Sequence, residues 1–280
     1  MRISPQFTQA VAKALLALAC ASAILALLFV VGMVLAGGLP HVSWSFLTQP
    51  ILDMGREGGI LPAIVGTLMM AFVAIGIAGP LGVASAIYLA EYTVESRITQ
   101  AIRFGINCLA GVPSIIFGLF GFILFVVILG FGWSILSGGF SLAAMVLPTI
   151  IRTSEEALRS VPRQYRDVAA SLGGTRWQVV TRSVLPNALP GILTGLILGI
   201  GRSIEDTAVV MFTAGSAVQM PHSLFDSART MSAHFFILAR EGVSSKNAYA
   251  TAAVLILTIL IINVSAYSLM HRMMRGRRPA

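Results

Sequence analysis

The sequence predicts an all-α, polytopic membrane protein. Three observations carry that prediction. Hydrophobic residues make up 56% of the 280 positions and charged residues 11%. The apolar residues are gathered into charge-free runs long enough to cross a bilayer, and the charges fall in the short segments between those runs. A spanning helix uses about 20 apolar residues, so the chain supplies six with little left for a separate soluble domain. No soluble core needs so apolar a composition. The net charge of +8 reads as lipid topology rather than a nucleic-acid surface, because the basic residues sit between the runs. Cys20 and Cys108 lie inside apolar runs, which leaves no disulfide framework or cysteine metal cluster.

After Arg2 and Lys13, residues 14–35 carry no charge and form the first span. Ala21-Ser22-Ala23 resembles a signal cleavage site, but cutting there would leave the apolar residues 24–36 as the new terminus, so the segment is expected to stay. A polar loop at 37–59 holds Trp44, Asp53, Arg56 and Glu57. Residues 60–90 are 31 positions without a charge, about 46 Å as one straight helix, and Gly79-Pro80 is expected to kink or break it. Residues 104–151 are 48 positions without Asp, Glu, Lys or Arg; they hold two crossings, reversing at Gly138-Gly139 or within residues 130–137. The fifth span follows Pro186 and Pro190 and continues over 191–212, and the sixth covers 248–269.

Six spans place both termini on one side. That side collects fourteen basic residues, from the two tails, Arg97, Arg103 and the Arg-rich segment 152–182, against four on the other, Arg56, Arg229, Arg240 and Lys246. The rich side is expected to be cytoplasmic. The layout is a tail at 1–13, a six-helix transmembrane domain at 14–272 and a basic tail at 273–280.

The cytoplasmic loop 153–186 is the most informative segment. Thr153 and Glu156 have capping-box spacing, so a short helix is expected to start there and stop before Pro162. A second helix is expected from Pro162 or Arg163 to Leu172, ending at Gly173-Gly174. Such a pair either rests on anionic lipid or docks a soluble partner.

Within this loop Asp167-Val168-Ala169, Gly173 six residues after Asp167, and Leu185-Pro186 follow the Glu-Ala-Ala, Gly and Leu-Pro pattern of ATP-binding-cassette importer permeases. Asp167 stands for the pattern's Glu, Val168 for its first Ala, and Ser183 for the Ile usual two residues before Leu. Residues 58–68, 109–114, 147–153 and 172–177 resemble the phosphate-importer permeases of the Pst system, the A-type subunit more than the C-type, and the likeness runs from about Leu39 to the C-terminus. The resemblance implies a type I importer permease fold in a bacterial inner membrane. It further implies a C-type sister permease, two copies of a cytoplasmic ATPase docked on the loop, and an external phosphate-binding protein. Glu156, Asp167, Ala169, Gly173, Leu185 and Pro186 are the expected docking residues. ATP and Mg belong to the ATPase, since the two lysines, Lys13 and Lys246, stand in no P-loop frame; this chain is expected to hold no cofactor of its own.

Span five carries Arg202, Glu205 and Asp206, and ionisable groups deep in a bilayer mark a pathway or a paired site. At about 100° per residue they share a face with the stripe Gly191, Gly195 and Gly199, which points that face into the bundle. Two readings are open. Arg202 and Asp206, four apart, can close a self-contained ion pair. Alternatively Arg202 offers a planar fork to a tetrahedral oxyanion, with the acid pairing it between turnovers. The resembling family reads Arg-Ala-x-Gly-Glu-Thr here, and its Arg and Glu are regarded as lining the phosphate route. Arg202 and Thr207 match, Asp206 takes the Glu position, and Glu205 replaces a Gly. An added carboxylate repels an anion unless it is neutralised, turned to a partner or protonated, which leaves phosphite, phosphonate or another oxyanion as an alternative cargo.

Other chemistries fit less well. An intramembrane serine protease needs a His within a span, and an aspartyl protease needs carboxylates from two helices, whereas Glu205 and Asp206 are adjacent. A stand-alone secondary transporter has no use for a protruding helix pair. His41, His222, His234 and His271 lack metal-ligand spacing and are expected to be solvated. Asn107 and Ser114 are expected to bond between helices, or else to face the path. The external loop 214–247 is expected to form an interfacial helix against a solute-binding protein or the lipid surface.

Overall fold

A computed structural model describes residues 5–275. Arg2, Arg277 and Arg278, and the tail beyond Arg275, lie outside the described residues. In hydrocarbon every backbone amide must be satisfied within its own segment, and the charge-free runs are largely helical, with breaks at residues 111–113 and 129–134.

Helix α1 (Pro5–Gly38) begins earlier than expected, so Lys13 belongs to the helix rather than to a preceding tail. It lies on the outside, against α12 (Ser245–Arg275), where Gly37 and Gly38 meet Tyr249 and Ala253. The polar loop that follows is structured. Ser43 Oγ accepts the Phe46 N–H at 3.1 Å and starts α2 (Trp44–Thr48), and β1 (Ile51–Leu52) pairs antiparallel with β2 (Glu57–Gly58).

Helix α3 (Leu61–Ile87) runs through Pro80 and ends in π-helical turns at Tyr88–Tyr92, so the expected break at Gly79-Pro80 does not occur. Proline removes one ladder bond, but Ala74, Ala78 and Gly82 pack on both sides of it against Met145, Val146 and Ile150 of α6 (Ile135–Ser160), and that packing holds the helix together.

The third crossing is broken. Helix α4 (Arg97–Ala110) stops at Gly111, and Pro113 leads into α5 (Ser114–Gly121) with π-helical turns at Phe122–Ile128; the two parts meet at 98°. The chain then reverses before Ser134, with Gly130 and Gly132 at φ of +69° and +63°. Gly138-Gly139 is not the turn. It lies inside α6, where a side chain at Gly139 would overlap Val73 of α3.

Helix α6 also overrides the expected capping box. Thr153 Oγ1 donates back to the Thr149 carbonyl at 2.9 Å, and the helix continues to Ser160, stopping before Pro162. The cytoplasmic-type loop therefore holds α7 (Arg163–Ser171), as expected, and then α8 (Arg176–Val179), which has the capping box Thr175–Gln178. Through π turns at Val180–Val184 the chain enters α9 (Leu185–Glu205). Helices α10 (Ala208–Thr213) and α11 (Met231–Arg240) precede α12. Among the described residues five helices are long and apolar enough to span, and counting the bent pair as one span gives six.

The core is the α3–α6–α9 interface. Gly191, Gly195 and Gly199 face Ala157, Thr153 and Ile150 of α6 in antiparallel register, so the small-residue stripe seats one helix directly on the other.

Candidate functional site

Span five does not stay helical to Phe212. Helix α9 ends at Glu205, and Asp206 is extended at φ −69°, ψ 129°. The Asp206 carboxylate accepts the Val209 N–H at 2.8 Å and starts α10, while its carbonyl accepts Ser232 Oγ at 3.0 Å. An extended Asp206 leaves the face on which Arg202 stands. Among the described residues Arg202 makes no ion pair, so of the two open readings the self-contained Arg202–Asp206 pair is not formed, and Asp206 bonds the start of α10 instead.

Arg202 is half-buried and opens onto a cleft of about 400 Å³ between α6, α9 and α12, lined by Thr149, Glu205, Asn263 and Tyr267 among apolar neighbours. Its Nη1 donates to Thr149 Oγ1 at a long 3.4 Å, which leaves most of the guanidinium fork free. Glu205 lines the same cleft and is exposed on the single chain; Thr207 sits in the break. Irregular backbone within a bilayer is tolerated where it is buried in protein or lines a cavity. Thr149, Asn263 and Tyr267 escaped the sequence reading because neutral polar residues in apolar runs give no signal until helices are brought together.

At the other end of the bundle, α7 presents an apolar face. Tyr165, Val168, Leu172 and Trp177 are exposed, and a groove of about 430 Å³ runs between Gln164, Tyr165, Val168, Ala169, Leu172 and Ser183. Asp167 stands exposed beside it. Gly173 has φ +79° and turns the chain, while Gly174 passes against the Ala169 carbonyl too closely for a side chain. Ser183 Oγ donates to the Tyr165 carbonyl at 2.9 Å, so the residue in place of the pattern's Ile ties the π turn to α7. Leu185 and Pro186 form the first turn of α9. Glu156 is not part of this face. It stays on α6 in a polar cleft with Arg103, Arg152, Glu155 and Arg159.

Several charged residues near α7 are paired. Arg166 holds Glu91 at 2.6 Å, and Arg103 bridges Glu95 at 2.6 Å and Glu155 at 2.7 Å. The Arg103 and Arg159 guanidiniums hold the exposed Glu95 carboxyl below its ordinary value.

The loop 214–247 forms the expected helix and corrects one expectation. Helix α11 packs on α3 and α12, with Met231, Ala233 and Leu238 buried and Phe235 and Phe236 exposed. His234 is buried, not solvated. It lies 3.3 Å from Arg229 Nη1, and burial, followed by the Arg229 charge, lowers its pKa to about 4. Burial likewise lowers the pKa of Arg229, whose Nε donates to the Ser216 carbonyl at 3.1 Å. Asn107 is exposed, and neither it nor Ser114 forms a bond between helices among the described residues. No group of three or more His, Cys, Asp or Glu side chains among the described residues is arranged to hold a metal.

Residues 78–279 match the family model described as "Binding-protein-dependent transport system inner membrane component". The chain is 31% identical over 266 residues to the probable ABC transporter permease protein YqgI of Bacillus subtilis, covering 88% of this chain and 90% of that protein. It is 33% identical to the phosphate transport system permease protein PstA of Xylella fastidiosa, over 81% of this chain and 79% of that one. Against PstA 1 of Mycobacterium tuberculosis it is 32% identical, over 91% and 85%. Among solved structures, a bacterial ABC transporter that imports the acidic polysaccharide alginate superposes with a TM-score of 0.67 at 16% identity, over 96% of this chain and 99% of that one. The MetNI methionine ABC transporter gives 0.64 at 19% identity, over 76% and 95%. These two likenesses establish the fold alone.

Proposed function

The chain belongs to the family of binding-protein-dependent transport system inner membrane components, and from that premise we propose that it is the A-type permease subunit of an ATP-driven phosphate importer. It is a multi-pass inner-membrane protein without an ATPase site of its own. It works with a second permease, a cytoplasmic ATPase and an external binding protein; the sister is C-type, two ATPase copies are present, and the binding protein carries phosphate. Both termini face the cytoplasm, in keeping with the excess of Arg on the α7 side.

The observation that carries the substrate reading is the unpaired Arg202 over the α6–α9–α12 cleft. A guanidinium presents five donors in a planar fork and binds tetrahedral oxyanions through two parallel bonds. With Asp206 withdrawn to cap α10, that fork is available, and Thr149, Asn263 and Tyr267 supply neutral hydrogen-bonding groups around it. Thr207 and the unwound Asp206 give the path its bend. Glu205, on the same cleft, keeps a second reading in view: a permease for phosphite, phosphonate or another oxyanion that tolerates a nearby carboxylate.

On the cytoplasmic side the apolar face of α7, with Asp167, Ala169 and Gly173, and the start of α9 at Leu185 and Pro186, form the ATPase seat. Glu156 stands on the adjoining end of α6. The test of substrate is labelled-phosphate uptake at low micromolar concentration in cells lacking this chain, with and without its restoration, in the presence of sulfate or phosphite. Restored uptake competed only by phosphate supports the assignment; an assembled complex that takes up no phosphate overturns it.

A further inference from the structure

The Arg166 side chain joins α7 to the ends of two other helices, α3 and α6. Its Nη2 donates to Glu91 Oε1 at 2.6 Å, and its Nε lies 3.1 and 3.2 Å from the two oxygens of the same carboxylate. Its Nη1 donates to the Val161 carbonyl at 2.7 Å and its Nη2 to the Leu158 carbonyl at 2.8 Å. The last carbonyls of a helix have no partner within the helix, so Arg166 also closes the C-terminus of α6. Glu91 is the first charge after the long apolar run of α3, and its side chain is only 8% exposed. Beneath the pair, Leu89, Leu158, Val161 and Val184 pack in one cluster. Arg103 fixes the same end of α3 from the other side, donating to the Leu89 carbonyl at 3.1 Å.

We infer that the Glu91–Arg166 pair is a clamp that transmits movement of the docked α7 to α3 and α6, the two helices against which α9 and its Arg202 are packed. The inference rests on the docking role proposed for α7. A carboxylate that is nine-tenths buried and held by a bidentate arginine cannot be left unpaired cheaply, so α7 cannot shift alone without carrying the end of α3 with it. Gly82 of α3 seats on Ile150, which in turn seats on Gly199 of α9. Displacement at the seat therefore reaches the wall of the cleft through close-packed contacts. Both residues are positioning residues; neither touches the transported anion.

The test uses the assembled complex with Cys20 and Cys108 changed to Ser and a reporter, Ile259→Cys, on the cleft wall. Its alkylation by a charged thiol reagent is compared with and without a non-hydrolysable ATP analogue, a readout that needs no transported substrate. The parent is expected to change rate at least ~5-fold on nucleotide binding, and Glu91→Gln, an isosteric change, to bring that below ~2-fold while the ATPase co-purifies in unchanged ratio. Arg166→Gln is expected to act alike, and the double variant no worse than either single one. A full nucleotide response in Glu91→Gln overturns the clamp. So does a response lost only together with the ATPase, because the pair would then merely shape the seat. Retention of the ATPase reports on docking and the reporter on transmission, which keeps the two ideas separable.

Discussion

His234 gives the α11 end of the fold a pH dependence whose size follows from its surroundings. The ring is buried, Arg229 Nη1 lies 3.3 Å from its Nδ1, and its pKa moves from 6.5 to about 4. Glu241 is the acid that acts on Arg229 from the end of α11. Because the unfolded chain binds this proton more readily, stability is complete above about pH 6.5, declines as the pH falls through the interval, and levels off below about pH 4. Those two values give a loss of about 2 kcal/mol at pH 5, approaching about 3 kcal/mol at the lower limit. Helix α11 is where the loss is felt. Ser232 Oγ holds the Asp206 carbonyl, and the Met231 N–H is held by Thr67 Oγ1 at 2.9 Å, so loosening it frees the break beside Arg202. The assay is the thermal unfolding midpoint of the purified complex from pH 7.5 to 4.5, for the parent and for His234→Gln. The variant is expected to start lower and to lack the parent's decline between pH 6.5 and 4. Superimposable pH profiles for the two proteins refute the assignment.

Three other outcomes follow from the packing and caps. Gly195→Leu forces a side chain into Thr153 and is expected to cost about 1–3 kcal/mol, read as a lower unfolding midpoint; an unchanged midpoint means α6 and α9 are not in close contact. Asp206→Ala loses the bond to the Val209 N–H, worth about 1 kcal/mol, and is expected to speed amide exchange at the start of α10. Gly173→Ala places a side chain at φ +79°, at a cost of about 1–2 kcal/mol, and is expected to reduce ATPase retention on the purified permease. Full retention counts against the α7 seat.

What was legible in the sequence is what period and composition encode. The charge-free runs mark the spans, and the Gly191-Gly195-Gly199 stripe gives the face that meets α6. Gly173-Gly174 ends α7 where a left-handed turn is required. Breaks inside runs were harder to place. Gly79-Pro80 is a place to kink or break, and the helix continues through it with packing on both sides, whereas the bend at Gly111-Val112-Pro113 lies within an apolar run with no charge to mark it. Thr153 and Glu156 show the limit of local motifs: a capping box needs a chain that turns out of the helix, and Thr153 instead bonds back to Thr149. A helical wheel assumes a continuous helix, so it placed Asp206 beside Arg202 when the chain had already left that helix. The Glu91–Arg166 and Arg103–Glu155 pairs join residues 75 and 52 positions apart, a separation that no reading of periodicity spans.

The most direct measurement is phosphate uptake into vesicles containing the assembled complex with Arg202→Ala, alongside Arg202→Lys, with ATP inside and loaded binding protein outside. Two charge-assisted hydrogen bonds of about 1.5 kcal/mol each correspond to at least ~100-fold in anion recognition. Uptake in Arg202→Ala is therefore expected to fall by that order while the ATPase stays bound and hydrolyses ATP, with Arg202→Lys intermediate because it keeps the charge and loses the fork. Uptake by Arg202→Ala at the parent rate would show that phosphate crosses without this residue and that the cleft is not its path.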